Sequence, residues 1–352
     1  MTKLSVLSIG AGAIGTYIGG SLALHGHKVT FVERPQVADE LRSRGLSITK
    51  DEGGKMKDEG ERTVILHPSI ASSMEDALAL GPFDVALFAL KSFDTQSFLQ
   101  SLSAIRYPLP TLLCLSNGVE NESTLTRELG QDSVIAGTVT SSIARRAAGD
   151  VVLERLRGVG VAAGHPLSER LVAALDESGL NAQLFPRSAE MKYSKMLTNL
   201  LANATSAILD MSPAEIFAHP SLYRLEIVQL REAMAVMRAQ GIRAVDLPGT
   251  PVRLLAFAVC CLPLAISRPL LGKAVGGGRG GKMPSFHIDL HSGRGKSEVD
   301  YLNGAVVRAG ERFGIPTPVN QLLTKTLLGL TRGEIPLEEF AQQPKKLVSK
   351  YQ

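Results

Sequence analysis

The chain has few of the features that mark disulfide-rich, membrane-spanning or nucleic-acid-binding proteins. Its 352 residues include only three cysteines, too few for a disulfide framework and without the paired spacing of a cysteine zinc site. The formal net charge is only +4, which is too small to favour nucleic acid or an anionic membrane as a partner. No targeting segment and no repeat of fixed period is recognisable. We therefore expect a cytoplasmic, globular protein.

The most apolar stretch of the chain is too short to cross a bilayer. Residues 254–266 form a run of 13, interrupted by Pro263, whereas a transmembrane helix needs about 20. We expect this run to pack as a helix against protein, either as a contact in a homodimer or as a lid over a cleft. A helix lying on a membrane surface is the alternative, because Arg253 and Arg268 flank the run.

The pattern of apolar residues divides the chain into two domains. Residues 1–186 alternate short apolar runs with amphipathic segments, which predicts an α/β, Rossmann-type doubly wound sheet. Residues 187–352 show long helical periodicity, which predicts a mostly α-helical domain. The helices with the strongest signals are predicted at residues 13–25, 222–240 and 299–313. Two glycine-rich stretches interrupt this pattern: residues 51–62 are typical of a hairpin tip or a mobile loop, and residues 276–281 are typical of a flexible loop.

A glycine-rich turn joins the first predicted strand to the first predicted helix. Gly10, Gly12 and Gly15 match the G-x-G-x-x-G fingerprint of dinucleotide-binding folds. In that motif the first glycine permits a tight turn, the second lets a pyrophosphate approach the backbone, and the third allows close helix–strand packing. The start of the helix, which includes Ala13 and Ile14, offers N–H groups and a positive dipole end to phosphate. We therefore predict a dinucleotide site.

The second predicted strand, residues 28–32, leads into an acidic residue and a basic residue. Glu33 is of the type that holds the ribose 2′-hydroxyl of NAD, whereas Arg34 suits the 2′-phosphate of NADP. Arginine is also common on protein surfaces. The end of this strand therefore does not decide between the two cofactors.

Polar residues follow two later strands as well. Lys91 comes directly after the predicted strand at residues 84–90, and Asn117 follows the strand at residues 111–115. Ligands of doubly wound sheets bind beyond the carboxyl ends of the strands. Each residue alone fits an ordinary loop or helix cap equally well, but two at successive strand ends favour a nicotinamide or substrate site.

Lys195, Asn199 and Asn203 recur at intervals of four in an otherwise apolar segment. On one continuous helix this spacing places an ammonium group and two carboxamides along a single stripe. Apolar neighbours such as Met196 and Leu200 argue against a face that is simply solvated. We interpret the stripe as functional.

A metal site has to be considered near the C-terminus, where His287, Asp289 and His291 alternate. Histidine and carboxylate ligands suit zinc or iron. Because the sequence shows no further ligand cluster, we favour capping and loop contacts for these residues and predict no metal.

Together these motifs resemble the ketopantoate reductase (2-dehydropantoate 2-reductase) family over nearly the whole chain, apart from an insertion near residues 250–280. The resemblance is carried by the glycine fingerprint, Lys91, the turn at residues 116–118, the segment with Lys195, Asn199 and Asn203, Ser285 with Asp289, and residues 297–304. Enzymes of this family reduce ketopantoate to pantoate with NADPH, a step of pantothenate biosynthesis.

The resemblance implies a role for each matched residue. Lys195 would be the general acid, and Glu298 would engage the substrate and help set the electrostatics around Lys195. Asn199, Asn203 and Ser285 would bind the substrate. The cofactor would be held by Gly10, Gly12, Ala13, Ile14, Gly15, Arg34, Lys91 and Asn117.

Two departures from the family lie on the substrate side. Three residues before Ser285, where better-known members tend to carry an asparagine, this chain has Lys282, and the insertion adjoins the same segment. We expect an NADPH-dependent reductase of a small 2-oxo acid, with ketopantoate as the first candidate. The rivals are a dehydrogenase acting on another oxo acid or an imine, and a non-catalytic NADP-binding regulatory protein.

Overall fold

The structure, a computed structural model, describes residues 3–50, 62–102, 105, 107–279 and 282–351. The chain divides into two units. The first unit comprises Met1–Ser116, Asn121–Lys192 and Leu247–Thr250, and the second comprises Asn117–Glu120, Tyr193–Asp246 and Pro251–Gln352.

The first unit is built on β-strands. Those within the described residues are β1 (Ser5–Ile9), β2 (Lys28–Val32), β3 (Leu46–Lys50), β4 (Arg62–Leu66), β5 (Ser69–Ala71), β6 (Val85–Phe88), β7 (Leu112–Cys114), β8 (Val134–Val139), β9 (Ser142–Ala147), β10 (Asp150–Arg155), β11 (Val159–Ala162) and β12 (Ala182–Phe185). The larger sheet has the order β12-β11-β8-β7-β6-β1-β2-β5. All of its pairs are parallel except that of β8 with β11. The run β5-β2-β1-β6-β7-β8 is the doubly wound order, which confirms the predicted Rossmann-type fold.

Helices surround this sheet and make up the second unit. Those of the first unit are α1 (Ala13–Leu24), α2 (Pro35–Arg44), α3 (Met74–Ala79), α4 (Thr95–Leu102), α5 (Asn121–Leu129) and α6 (Ser168–Glu177). The helix α7 (Ser188–Leu200) contains the division between the units. The second unit continues with α8 (Asn203–Leu209), α9 (Pro213–Ala218), α10 (Pro220–Ala239), α11 (Val252–Cys261), α12 (Leu264–Arg279), α13 (Ser285–His291), α14 (Val299–Phe313), α15 (Pro318–Thr331) and α16 (Pro344–Ser349). The predicted helical character of this part is confirmed.

The central strands are apolar along their whole length because both faces of the sheet are covered. In β6, the side chains of Val85 and Leu87 belong to one buried cluster, and those of Ala86 and Phe88 belong to the cluster on the opposite face. Parallel sheets with helices on both sides require such continuous apolar strands. Because the central strands run parallel, their carboxyl ends meet at one edge of the sheet, which is where doubly wound folds bind ligands.

A second sheet in the first unit was not predicted. It has four strands in the order β4-β3-β10-β9, and β3 pairs antiparallel with β4. The two strands flank the stretch that was predicted to be a hairpin tip, and residues 51–61 of that stretch lie outside the described residues.

The prediction of one helix at residues 254–266 is wrong. The chain forms α11 and α12 with a break at Leu262 and Pro263, because proline cannot continue a helix that precedes it. Their outward faces carry exposed apolar side chains, including Leu254 at 65% and Ile266 at 51% of full exposure. No described helix combines the length and apolar character needed to span a membrane. The homodimer and lid roles of this stretch stay predictions.

The prediction of a flexible loop at residues 276–281 is also wrong for residues 276–279. Helix α12 continues to Arg279, and residues 280 and 281 lie outside the described residues. Helix α12 packs on α9. Extending a helix that is already formed costs only about 1 kcal/mol for each glycine.

A buried carboxylate in the second unit holds a break between two helices. Ala202 lies between α7 and α8 in a left-handed conformation with φ of +51°. Its N–H donates to Glu226 Oε2 at 2.8 Å, and the fully buried Glu226 also accepts hydrogen bonds from Thr205 Oγ1 and Gln229 Nε2, each at 2.6 Å. Gln229 Oε1 in turn accepts from Asn303 Nδ2 at 3.1 Å. Gln229 Nε2 also donates to Leu200 O at 3.2 Å, so one polar network joins helices α7, α8, α10 and α14.

Replacing this carboxylate should destabilise the second unit. We expect Glu226→Ala to lower the free energy of unfolding by about 3–5 kcal/mol, because buried donors on three partners lose their acceptor. Urea denaturation followed by circular dichroism measures the change. Glu311→Ala on the exposed face of α14 is the matched control, and we expect a change within about 0.5 kcal/mol. Equal effects of the two variants would contradict this prediction.

Candidate functional site

The glycine-rich turn lies where β1 passes into α1 and has the geometry of a dinucleotide turn. Gly10 has φ of +92°, a conformation that side chains rarely adopt, and its N–H donates to Val32 O at 3.0 Å. A Cβ on Gly15 would lie 2.1 Å from Gly10 O. The turn and the close approach of α1 to β1 therefore require glycine at both positions.

Gly12 differs from these two glycines, because the protein itself does not require it. Its φ of −72° is open to any residue, and a Cβ there would meet nothing within 4 Å. Gly12 is the N-cap of α1, whose first turn contains Ala13, Ile14 and Gly15 and no acidic residue. The first N–H groups of an α-helix have no carbonyl partner within the helix, and they attract anions. Open space beside these donors fits the pyrophosphate of a dinucleotide.

The acidic and basic residues after β2 have different surroundings. Glu33 is half-buried, and its carboxylate accepts hydrogen bonds from Ala11 N at 2.7 Å and from Arg34 N at 3.2 Å. The side chain of Arg34 is exposed. Glu33 thus braces the glycine turn, while the guanidinium of Arg34 projects from the surface next to it.

Lys91 follows β6, which pairs with β1 at the point where the strand order reverses. The side chain of Lys91 is half-buried. The backbone just before it is held by Ser116, whose Oγ donates to Leu90 O at 2.7 Å. Since Gly10 and Lys91 follow adjacent parallel strands, both lie at the switch point where doubly wound folds bind ligands.

Lys192 is a buried residue of the first unit that the sequence analysis missed. Its Nζ lies 2.7 Å from Glu122 Oε1 and donates to Ser116 O at 2.7 Å and to Gly137 O at 3.3 Å. The pair anchors the first half of α7. Nearby, burial and the charge of Glu122 raise the pKa of the Cys114 thiol and so favour its protonated form. The only signal for Lys192 in the sequence is its place one turn before Lys195.

In the second unit, four residues predicted to be functional form one hydrogen-bonded chain. Asn199 Nδ2 donates to Asn117 Oδ1 at 3.1 Å. Asn203 Nδ2 donates to Asn199 O at 3.0 Å and to Ser285 Oγ at 3.3 Å. Residues from three separate parts of the sequence therefore meet at one place within this unit.

The prediction of a continuous helical stripe through Asn203 is wrong. Because α7 ends at Leu200, Asn203 begins α8, while Lys195 and Asn199 share the last turns of α7. Both sides of the Asn203 carboxamide are engaged, since its Oδ1 accepts from Phe286 N at 3.0 Å. Asn203 thus caps α13 and holds Ser285, the exposed first residue of that helix.

Lys195 and Glu298 differ in burial. Lys195 is half-buried on α7, whereas Glu298 is only 1% exposed at the N-cap of α14. A charged carboxylate so deeply buried is tolerated only with partners of opposite charge or hydrogen-bond donors.

Arg308, which the sequence analysis also missed, connects α14 to the segment of Asn117. Its guanidinium pairs with Glu120 Oε2 at 2.6 Å and with Asp300 Oδ1 at 2.9 Å. It thereby fixes the loop three residues after Asn117. Lys282, the departure from the family pattern, has an exposed side chain in front of α13.

Comparison with known proteins identifies the family to which the chain is similar. The sequence model described as Ketopantoate reductase PanE/ApbA matches residues 6–163, and the one described as Ketopantoate reductase PanE/ApbA C terminal matches residues 188–331. The 2-dehydropantoate 2-reductase of Archaeoglobus fulgidus is 27% identical over 329 residues, which are 92% of this chain and 96% of that protein.

Solved structures show the same likeness. The PanE/ApbA family ketopantoate reductase of Ralstonia eutropha JMP134 superposes with a TM-score of 0.75 at 26% identity, covering 94% of this chain and 99% of that one. D-mandelate dehydrogenase in a ternary structure with NADH and anilino(oxo)acetate shares the fold, with a TM-score of 0.73 at 21% identity over 93% of this chain and 98% of that one. Because the two family matches together span most of the sequence, the chain belongs to the ketopantoate reductase family.

Proposed function

We propose that this protein catalyses the NADPH-dependent reduction of a small 2-oxo acid to the 2-hydroxy acid, with ketopantoate as the first candidate and pantoate as its product. The reaction would belong to pantothenate biosynthesis and take place in the cytoplasm. Membership of the family supports the reaction type. Ketopantoate is the first candidate because relatives of this chain are 2-dehydropantoate 2-reductases. NADPH is the cofactor that the family resemblance implies, and the exposed Arg34 is suited to its 2′-phosphate.

The observation that carries the proposal is the hydrogen-bonded chain from Asn117 through Asn199 and Asn203 to Ser285. Amide and hydroxyl groups are suited to bind the carboxylate and hydroxyl groups of a small oxo acid. In this interpretation Asn199 and Ser285 contact the substrate. Asn203, whose two amide hydrogens are already used within the protein, contributes mainly by holding Ser285.

The nucleotide would be held by the first unit. Gly12 leaves open space for the pyrophosphate, and Ala13, Ile14 and Gly15 supply N–H groups at the helix start. Arg34 would pair with the 2′-phosphate, because a guanidinium binds phosphate through two parallel hydrogen bonds. Lys91 at the switch point would bind near the nicotinamide ribose. When bound, NADPH supplies the hydride that reduces the ketone.

Lys195 would provide the proton in this reaction. As hydride reaches the carbonyl carbon, negative charge develops on the carbonyl oxygen, and a nearby ammonium group stabilises that charge and donates a proton from Nζ. Partial burial favours release of this proton, and a neighbouring carboxylate opposes release. Glu298 would act as such a neighbour and engage a hydroxyl group of the substrate.

The direct test is NADPH oxidation, followed by absorbance, with ketopantoate and a panel of other 2-oxo acids and imines. We expect the highest kcat/KM with ketopantoate. Faster turnover of another oxo acid would assign a different substrate and direct attention to Lys282 and the insertion. NADPH binding without turnover of any panel member would favour a regulatory protein.

Lys195→Ala should abolish most of the turnover and leave cofactor binding intact. We expect kcat to fall by about 10²- to 10⁴-fold, the usual contribution of a positioned general acid. Steady-state kinetics measure the fall, and fluorescence titration measures the affinity for NADPH.

Two further variants distinguish Lys195 from Lys91 as the proton donor and a proton donor from a carboxylate anchor. Lys195→Arg keeps the positive charge but cannot release a proton at neutral pH, so kcat should stay low. If Arg restored turnover, or if Ala changed only KM, Lys195 would be a carboxylate anchor. A larger loss of kcat in Lys91→Ala would make Lys91 the proton donor.

Arg34→Ala should weaken binding of NADPH selectively. Loss of a charge-assisted contact to the 2′-phosphate predicts an affinity lower by about ten- to hundredfold, while the affinity for NADH should change little. Lys28→Ala is the matched control, because Lys28 is an exposed cation at the opposite end of the same strand. If NADPH affinity is unchanged in Arg34→Ala, the assignment fails.

A further inference from the structure

Two histidines and one aspartate in the second unit converge outside the residues proposed for catalysis. His287 and His291 lie one turn apart on α13, and Asp210 follows the last residue of α8. One ligand atom from each of the three side chains lies within 4.8 Å of the other two. Two histidines spaced i, i+4 on one helix are a recurrent metal-binding pair.

The distances between these groups are close to those around a metal ion. His287 Nε2 lies 2.8 Å from Asp210 Oδ1, and the centroids of the two imidazole rings are 4.2 Å apart. Zinc binds imidazole nitrogen and carboxylate oxygen at about 2.0–2.2 Å, so its ligand atoms lie roughly 3–4 Å from one another. Small rotations about the side-chain bonds would therefore bring all three atoms into one coordination sphere.

The backbone that presents the ligands is held in place. Asp210 has a left-handed conformation with φ of +49°, and its carbonyl accepts a hydrogen bond from the Gln342 side chain. Gln342 N donates to Leu209 O at 2.8 Å. At the other helix, Phe286 N donates to Asn203 Oδ1. The three ligands thus belong to a framework that is formed without the metal.

The electrostatic surroundings also favour a cation. Asp210 is the C-cap of α8, and His291 is the last residue of α13. The C-terminal end of a helix carries partial negative charge and attracts positive ions. The carboxylate adds a full negative charge that is 55% exposed and therefore accessible from solvent.

The ligand set differs from the one considered in the sequence. Asp289 is buried and is not part of the cluster. It lies two residues from each histidine, so its side chain points away from the helix face that His287 and His291 share. Asp210, far away in the sequence, takes its place.

We propose that Asp210, His287 and His291 form a binding site for one divalent transition-metal ion of the zinc type. Two imidazoles favour such an ion over magnesium or calcium, which prefer sites made wholly of oxygen ligands. With three protein ligands, a fourth position is left for water or an external ligand. A bound ion would link the end of α8 to α13 and so stabilise the second unit. This proposal does not depend on the proposed function.

The test is calorimetric titration of the tag-free, full-length protein with Zn²⁺, and absorption spectroscopy with Co²⁺ as a probe of the ligand set. We expect one saturable site and a rise in melting temperature on addition of Zn²⁺. Asp210→Asn keeps a residue that tolerates the left-handed conformation but removes the charge, and His291→Gln removes a ligand from the surface. Each variant should weaken Zn²⁺ binding by more than about tenfold.

The matched control is His67→Gln, which removes an exposed histidine of the first unit and should leave Zn²⁺ affinity unchanged. All titrations are repeated in a Cys260→Ser, Cys261→Ser background, because these neighbouring, exposed thiols are the competing ligands. The absence of saturable binding in that background would overturn the proposal. So would wild-type affinity in Asp210→Asn and His291→Gln.

Discussion

The hydrogen bond from Ala202 N–H to the buried carboxylate of Glu226 is the constraint on which the second unit depends. Without an acceptor at that point, the left-handed residue between α7 and α8 would leave a buried N–H unsatisfied, at a cost of about 1–3 kcal/mol. Because the helix breaks there, Asn203 begins a new helix and reaches Ser285 and Phe286 rather than continuing along the face of Lys195. Glu226, which has no proposed part in the chemistry, therefore decides which polar groups meet beside it.

In the glycine turn of the first unit, two glycines are required by the fold and one is not. Gly10 and Gly15 are needed by the fold itself, through a positive φ and a close approach of helix to strand. Gly12 has neither a positive φ nor a close contact that would exclude a side chain, and the space beside it is open. Glu33 is bound to the backbone of the same turn, so its presence does not by itself indicate NAD. The side chain of Arg34, by contrast, is exposed.

Elements with strong local signals were predicted closely. The helix predicted at residues 13–25 is α1 (Ala13–Leu24), and the one predicted at residues 299–313 coincides with α14 (Val299–Phe313). The predicted helix boundaries were wrong where a proline or glycine residue interrupts an apolar or helical pattern. Pro263 divides the apolar run into α11 and α12. Helix α12 also continues through glycines that were predicted to form a loop. The four-stranded sheet went unpredicted because β3 pairs with β10, about a hundred residues later, and short strands carry little periodicity of their own.

Local spacing in the sequence was enough to predict the doubly wound domain, the helical character of the rest and the glycine turn. Candidate residues such as Ser285 and Glu298 came instead from the family resemblance. The tertiary structure alone decided how those residues are connected. Lys192 and Arg308 are ordinary basic residues in the sequence, and only the fold shows Lys192 paired with Glu122 and Arg308 paired with Glu120 and Asp300. Asp210 likewise approaches His287 only after α8 and α13 have packed. Contacts between distant residues follow from packing, which local periodicity does not encode.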